Sequence, residues 1–144
     1  MRKFIYVLIA MIAIPLAMSC ERNTILPENE YPAEIVAFVQ THFSGANIVK
    51  LVRERDGAEV KYEVRLSSGV KLEFNSDKRV IEIESYTKLP DSVIPAKILD
   101  YVQKNYPNAF IVSWELERNK QSVKLNSGIE LEFDLAGNFL RIDG

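Results

Sequence analysis

Apolar residues recur at every fourth position in two separate runs of the chain, which is the spacing of one face of a helix. The two apolar stripes are Ile35, Val39 and Phe43, and then Ile98, Val102 and Tyr106. Pro32 and Pro95 open the runs, at a helix position where the missing backbone N–H costs nothing. Gly45 and Pro107 follow the stripes and end them. We therefore predict two helices, one after each of these two opening prolines.

Elsewhere apolar residues alternate with charged ones, which is typical of antiparallel strands with one dry face and one solvated face. The alternating stretches are 60–66, 70–74, 81–84, 110–116, 129–133 and 140–143. Turn sequences such as Asp56-Gly57, Ser68-Gly69 and Ser127-Gly128 separate them. In the fourth stretch, the residues predicted to face the core are Phe110, Val112, Trp114 and Leu116. The helices are expected to cover the apolar side of the sheet and to leave the charged side open.

The predicted elements occur twice in the same order. The run that opens at Pro32 matches the run that opens at Pro95 at an offset of 63 residues, and 66–74 matches 125–133 at an offset of 59. The turn near Asp56-Gly57 absorbs the difference. We predict an α+β fold, a tandem repeat of a helix plus about four antiparallel strands, with both helices packed on one face of the sheet. The repeats are assigned to residues 31–86 and 87–144.

The first residues predict export. Arg2 and Lys3 precede fifteen uncharged residues, a run typical of a secretory signal and shorter than a transmembrane helix, which needs about 20 apolar residues. The run ends in Leu16-Ala17-Met18-Ser19-Cys20, which resembles a bacterial lipoprotein box. We expect a signal peptide at 1–19, lipid attachment at Cys20 and a polar tether over 20–30, with the protein held at the periplasmic or cell-surface side of the envelope. A plain signal peptide followed by an incidental cysteine is the alternative.

Composition excludes several classes of protein. With 47% hydrophobic and 26% charged residues the chain is neither disordered nor of low complexity. The 18 basic and 20 acidic residues leave no excess of positive charge for a nucleic acid. One cysteine allows neither an internal disulfide nor a multi-cysteine zinc site. His42 is the only histidine and has no recognisable catalytic partner, and no cofactor motif occurs.

The open face of the sheet is the candidate binding surface. Its predicted members are Lys61, Glu63, Arg65, Lys71, Glu73, Glu82, Glu84, Tyr86, Ser113, Glu115, Glu130 and Glu132. Opposite charges on neighbouring strands are expected to pair, which favours a solvated surface over a specific metal site. The interleaved basic residues are also expected to prevent raised carboxylate pKa values, which argues against acid–base catalysis.

A known family shows the same pattern. The order of one helix and four strands, the turn and strand Ser68-Gly69-Val70-Lys71-Leu72-Glu73-Phe74 and the lipoprotein-like start resemble the PepSY-like, beta-lactamase-inhibitor-like proteins of Bacteroides-type bacteria. The resemblance covers roughly residues 30 to 144. It implies tandem repeats of the kind found in the beta-lactamase inhibitory protein and an exported, non-enzymatic module. It does not imply inhibition of a beta-lactamase. The beta-lactamase inhibitory protein carries disulfides, and a chain with one cysteine cannot form a disulfide internally.

These observations favour one function over two others. The leading hypothesis is a lipid-anchored, non-enzymatic module that recognises another envelope protein through the open face, as an inhibitor or a sensor accessory. A small-ligand or calcium-binding periplasmic module is the alternative, because carboxylates on one surface supply the oxygen ligands that calcium prefers. An enzyme comes third.

Overall fold

A computed structural model describes residues 22–143. The predicted signal peptide and the lipid-attachment residue Cys20 lie outside the described residues. The helices are α1 (Ala33–His42) and α2 (Ala96–Asn105), and the strands are β1 (Arg22–Ile25), β2 (Ile48–Asp56), β3 (Glu59–Leu66), β4 (Lys71–Phe74), β5 (Val80–Glu84), β6 (Ile111–Leu116), β7 (Gln121–Leu125), β8 (Glu130–Phe133) and β9 (Phe139–Asp143). Short 3₁₀ turns at Glu28–Glu30 and Asp91–Val93 precede the two helices.

The nine strands form a single antiparallel sheet in the order of the chain, from β1 to β9. The sheet is continuous between the repeats, because β5 of the first repeat pairs with β6 of the second. This arrangement confirms the predicted α+β fold, in which each helix is followed by four antiparallel strands. At ten residues each, the two helices in residues 22–143 are too short and too polar to cross a bilayer.

Both helices pack on the same face of the sheet and bury the apolar stripes that the sequence predicts. Ile35 and Val39 of α1 and Ile98 and Val102 of α2 are buried in one cluster with the apolar side of the sheet. The fully buried sheet residues in that cluster are Leu51, Val64, Leu72, Phe74, Ile83, Val123, Leu125, Leu131 and Phe133. Burial of each large apolar side chain contributes about 1.5–3 kcal/mol, so this shared core is the main source of stability.

The two repeats match in their irregular details as well as in their elements. The strand irregularity between Ile48 and Lys50 recurs between Ile111 and Ser113 at the same offset of 63. The irregularity between Glu73 and Phe74 recurs at the equivalent position of β8. Equivalent turns are also closed by equivalent hydrogen bonds, from Asn47 N to Ser67 Oγ at 3.0 Å and from Phe110 N to Asn126 Oδ1 at 2.9 Å. Because bulges and turn contacts of this kind are specific features of a fold, the match supports an internal duplication.

Two sequence-based expectations differ from the structure. Residues 22–25, which lie in the predicted tether, form β1 and pair with β2, and the buried Leu26 donates its N–H to the Leu51 carbonyl at 2.9 Å. In β6, the bulge shifts the alternation by one residue. Ile111 is therefore buried in the core instead of Phe110, and Leu116, at the strand end, is exposed. Trp114 lies in the core as predicted.

Candidate functional site

The sheet face opposite the helices, here called the open face, carries the charged side chains of the central strands. On β4, for example, Leu72 and Phe74 point into the core, so Lys71 and Glu73 point to the open face. The registers of neighbouring strands place some of these charged residues directly opposite one another, so that they form a line across the sheet. Four consecutive members of this line are Glu63 on β3, Glu73 on β4, Glu82 on β5 and Glu115 on β6. These four residues are called the glutamate row.

The glutamate row brings like charges together at positions where sheets ordinarily place opposite ones. Directly opposed residues have Cβ atoms about 4.5–5.5 Å apart, and like charges at this separation destabilise a sheet. The expectation that opposite charges pair across neighbouring strands is therefore wrong for the three contacts along the row. The apolar face determines this register, because a one-residue shift of any strand would turn its buried side chains toward water.

Lys71 is the cation at the centre of this surface. Its Nζ lies 3.2 Å from Glu73, 3.4 Å from Glu82 and 3.2 Å from Glu84, and its side chain is 23% exposed. Burial lowers the pKa of Lys71, but the hydrogen bonds to Glu73 and Glu84 outweigh it and hold the pKa above its ordinary value. Because one ammonium faces three carboxylates, the centre of the open face keeps a net negative charge.

Two members of the glutamate row resist ionisation. Burial, followed by the negative charge of Glu73, raises the pKa of Glu82. Burial, followed by the charge of Glu117, raises the pKa of Glu115. The expectation that the basic residues of this face prevent raised carboxylate pKa values is therefore wrong for these two. Burial is the larger cause for both groups. Nearby carboxylates add to it, those of Glu73 and Glu84 for Glu82 and those of Glu117, Glu130 and Glu73 for Glu115, while Lys71 and Lys120 offset only part of the effect.

A second line of residues runs beside the glutamate row, and we call it the mixed row. Its members, in strand order from β3 to β8, are Arg65, Lys71, Glu84, Ser113, Lys124 and Glu130. A half-open cavity of about 400 Å³ lies against this row, between the turns at Gly69 and Gly128. Tyr86 borders the cavity and is 96% exposed. The open face therefore combines an acidic strip with a polar depression that an exposed aromatic ring flanks.

A closed ion-pair cluster lies at the β8–β9 end of the open face. Glu132 is buried, with its side chain 3% exposed, and it accepts hydrogen bonds from Lys120 and from Arg141, whose Nε lies 2.7 Å from the carboxylate. The bond from Lys120 outweighs the effect of burial and, with the bond from Arg141, holds the pKa of Glu132 below its usual range. In residues 22–143 every buried side-chain nitrogen and oxygen has a partner, so this cluster is structural.

The structure places the predicted site residues together on the open face. The glutamate row and the mixed row contain Glu63, Arg65, Lys71, Glu73, Glu82, Glu84, Ser113, Glu115 and Glu130. Glu132 continues the line of the glutamate row, Lys61 lies on β3 opposite Glu54, and Tyr86 follows the end of β5. That this surface binds a partner remains a prediction. The roles of Lys120 and Arg141 were not predicted, because only strand register brings them to Glu132.

Other chemistry is sparse within the described part of the chain. His42, at the end of α1, makes a 3.0 Å hydrogen bond between its Nδ1 and the Ser92 hydroxyl of the second repeat, which indicates a structural role. No cluster of three or more histidine, cysteine, aspartate or glutamate side chains in residues 22–143 is arranged to hold a metal ion.

Comparison with known protein families agrees with the duplicated architecture. The model of the family described as "Putative beta-lactamase-inhibitor-like, PepSY-like" matches the chain twice, over residues 17–82 and 60–141. The chain belongs to this PepSY-like family. The two matches overlap over residues 60–82, each contains one of the two helices, and they indicate no enzymatic family. No curated protein matches this PepSY-like chain.

Solved structures of similar proteins come from Bacteroides species. One, from Bacteroides thetaiotaomicron, is described as "a putative calcium-regulated periplasmic protein" and is 32% identical, with a TM-score of 0.79, over 85% of this PepSY-like chain and 97% of that one. A periplasmic protein of the DUF2874 family from Bacteroides vulgatus is 31% identical, with a TM-score of 0.79 and the same coverage. Another Bacteroides vulgatus periplasmic protein, of unknown function, is 28% identical with a TM-score of 0.80, over 85% of this chain and all of that one.

Proposed function

We propose that this PepSY-like protein is a non-enzymatic binding module of the periplasm that recognises a basic segment of another envelope protein through the open face. In this role it acts as an inhibitor or as a sensor accessory. The periplasmic location is supported by the description of all three similar structures as periplasmic proteins. Attachment to a membrane through a lipid on Cys20 completes the proposal, and its support is the lipoprotein-like sequence that ends at this sole cysteine.

The glutamate row is the observation that carries the proposal. Its members cross four adjacent strands and both repeats, and they keep like charges in contact although this opposes folding. A surface that retains charges at a cost to stability is typical of a functional site. A partner that brings lysine or arginine side chains to the row would relieve the repulsion, and complementary charges would also speed the encounter.

Calcium binding is the second candidate function. One similar structure is described as calcium-regulated, and the glutamate row presents oxygen ligands of the type that calcium prefers. Lys71 opposes this function, because its ammonium already lies within 3.4 Å of three of the carboxylates on this face. Titration with millimolar calcium, with magnesium as the control, separates the two functions: a calcium-specific rise in melting temperature would support the second one.

The double variant Glu82→Gln/Glu115→Gln tests the binding proposal. We expect affinity for the envelope partner to fall about tenfold, because two charges that face the basic segment are lost. The same variant should be more stable at pH 7, by about 0.5–1 kcal/mol, since it removes like-charge contacts. Both carboxyls have raised pKa values in the folded state, so their ionisation opposes folding as pH rises above about 4.5. The gain in stability should therefore vanish at pH 4.

The matched control is Glu28→Gln/Glu34→Gln, which makes the same change in net charge at exposed positions of the 3₁₀ turn and α1. Partner binding is measured by capturing envelope proteins on immobilised wild type and both variants, followed by titration of the purified captured protein. Equal retention of the same protein by wild type and by the open-face variant would contradict the proposal. Equal losses in both variants would also contradict it, because net charge alone would then govern binding.

A further inference from the structure

The last strand, β9, is the equivalent of β5 in the first repeat. β9 pairs with β8 as β5 pairs with β4, including the irregularity at the same place in each ladder. At the offset of 59, Leu140 corresponds to Ile81, and Ile142 corresponds to Ile83. The two strands therefore use the same register toward the preceding strand, and Ile142 occupies the position from which Ile83 enters the core.

The two strands differ on their other edge. β5 pairs there with β6, where Trp114 lies directly opposite Ile83 and leaves Ile83 with no exposed surface. Within residues 22–143 β9 pairs only with β8, and Ile142 is 57% exposed and Leu140 is 53% exposed. An edge strand with free backbone groups and exposed apolar residues is a template for the addition of another strand.

The sequence of β9 offers little of the protection that edge strands usually carry. It contains neither proline nor lysine, and its one cation, Arg141, is already bonded to Glu132 on the open face. The opposite edge of the sheet differs, because β1 exposes one large apolar side chain, Ile25, after three polar residues. The second repeat, as described by residues 22–143, therefore lacks beside β9 the strand that β6 provides beside β5 of the first repeat.

We propose that β9 accepts an extended segment of another protein as an added antiparallel strand. The pairing of β5 with β6 indicates which side chains the added segment should carry. In that pair Trp114 opposes Ile83, and the residues equivalent to Glu82 and Glu84 in β9 are Arg141 and Asp143. The segment that fits β9 thus has a large apolar residue opposite Ile142 and an acidic residue opposite Arg141. This edge adjoins the open face at Arg141, whose side chain is 64% exposed, but the inference does not depend on the function proposed for that face.

Charge complementarity makes the β6 sequence itself a suitable probe. If residues 112–117, Val-Ser-Trp-Glu-Leu-Glu, took the β6 register on β9, Glu115 would lie opposite Arg141, whereas in its own sheet it faces Glu82. Trp114 would lie opposite Ile142. The added strand would gain backbone hydrogen bonds, an ion pair and apolar contacts together, which are the terms that govern strand addition.

The experiment titrates this hexapeptide, with both ends capped, into the isotopically labelled protein and follows backbone amide signals by NMR. We expect the shifted signals to concentrate in β8 and β9, with new protection of β9 amides from hydrogen exchange. Ile142→Lys should weaken binding about tenfold, because it places a desolvated charge opposite the apolar residue. Ile25→Lys at the β1 edge is the matched control and should leave binding unchanged. A peptide with lysine in place of its first glutamate should bind more weakly.

Four results would overturn the inference. The first is the absence of shifts in β9 at millimolar peptide, and the second is equal binding by wild type and Ile142→Lys. The third is a concentration of shifts in β5 and β7, which would show that the peptide replaces β6. The fourth is a dimer of the free protein that dissociates in Ile142→Lys, as measured by sedimentation, because a second copy would then occupy the edge. Thermal unfolding of both variants verifies that the exposed-site substitutions leave the fold intact.

Discussion

Replacing Ile83 by alanine is expected to lower the free energy of unfolding by about 2–5 kcal/mol. Ile83 has no exposed surface and lies in β5, the strand through which the first repeat joins the second. The substitution removes buried methylenes and leaves a cavity beside Trp114. Since proteins of this size are stable by only about 5–15 kcal/mol, this is a large part of the total. Urea unfolding followed by both circular dichroism and tryptophan fluorescence measures the loss.

The repeat supplies the control for this substitution. Ile142 occupies the equivalent position in β9 but is 57% exposed, so Ile142→Ala should cost less than about 1 kcal/mol. Both probes should report one coincident transition in every variant, because one core crosses the two repeats. Two separate transitions, or similar losses for the two alanine variants, would show that the repeats do not share the core described above.

Replacing Lys71 by methionine is expected to lower the free energy of unfolding by about 1–2 kcal/mol at pH 7. Methionine keeps the apolar stem of the lysine but removes the ammonium that lies within 3.4 Å of Glu73, Glu82 and Glu84. Three carboxylates are then left in mutual repulsion on a partly buried surface. Lys61→Met is the matched control, since Lys61 is more exposed and pairs with Glu59 alone, and it should have almost no effect.

The loss of stability caused by Lys71→Met should be smaller at acidic pH than at neutral pH. The folded-state pKa of Lys71 is raised above 10.5, so its stabilising contribution is present below pH 10.5 and is lost as pH rises through the folded-state pKa. At pH 4, below the raised pKa of Glu82, that carboxyl is mostly neutral, so Lys71 has less negative charge to compensate. Unfolding curves measured at pH 4, 7 and 9 should show a small loss at pH 4 and a larger one at pH 7 and 9. A loss that is the same at pH 4 and pH 7 would contradict an electrostatic role.

Much of the fold can be predicted because the apolar residues alone specify it. The four-residue spacing of Ile35 and Val39 gives α1, the two-residue spacing around Leu72 and Phe74 gives β4, and the same patterns recur in the second repeat. The strand β1 cannot be predicted from apolar spacing because three of its four side chains are polar and its stability comes from backbone pairing with β2. The β6 bulge cannot be predicted because one inserted residue reverses the alternation of buried and exposed positions without a distinctive sequence signal.

The open face is only partly predictable for a related reason. Alternation identifies which residues point away from the core, and so it places Glu73 and Glu82 on the same surface. It does not determine which of them meet, because that depends on the registers of several strand pairs in succession. The sequence therefore predicts a surface of paired opposite charges, whereas the registers produce the glutamate row. Within this row Glu63 is bonded to Arg65, and Glu73 and Glu82 share Lys71.

The buried core and the proposed recognition surface lie on opposite faces of one sheet. The helix-covered face buries apolar side chains in both repeats. On the other face the pKa values of Glu82 and Glu115 are raised, which means that ionisation of these carboxyls opposes folding. Variants that neutralise the row should therefore gain stability as they lose binding. Such an inverse relation is typical of surfaces that are maintained for function.

Site-specific photo-crosslinking in intact cells tests the recognition of a partner through the open face most directly. A photoreactive residue is introduced at Lys61, Ser113 or Tyr86 on or beside the open face, and at Glu34 or Asp100 on the exposed sides of the helices. We predict that a discrete crosslinked envelope protein forms from the open-face positions and is absent from the helix positions. Crosslinks confined to the helix positions, or none from the open face, would contradict the account.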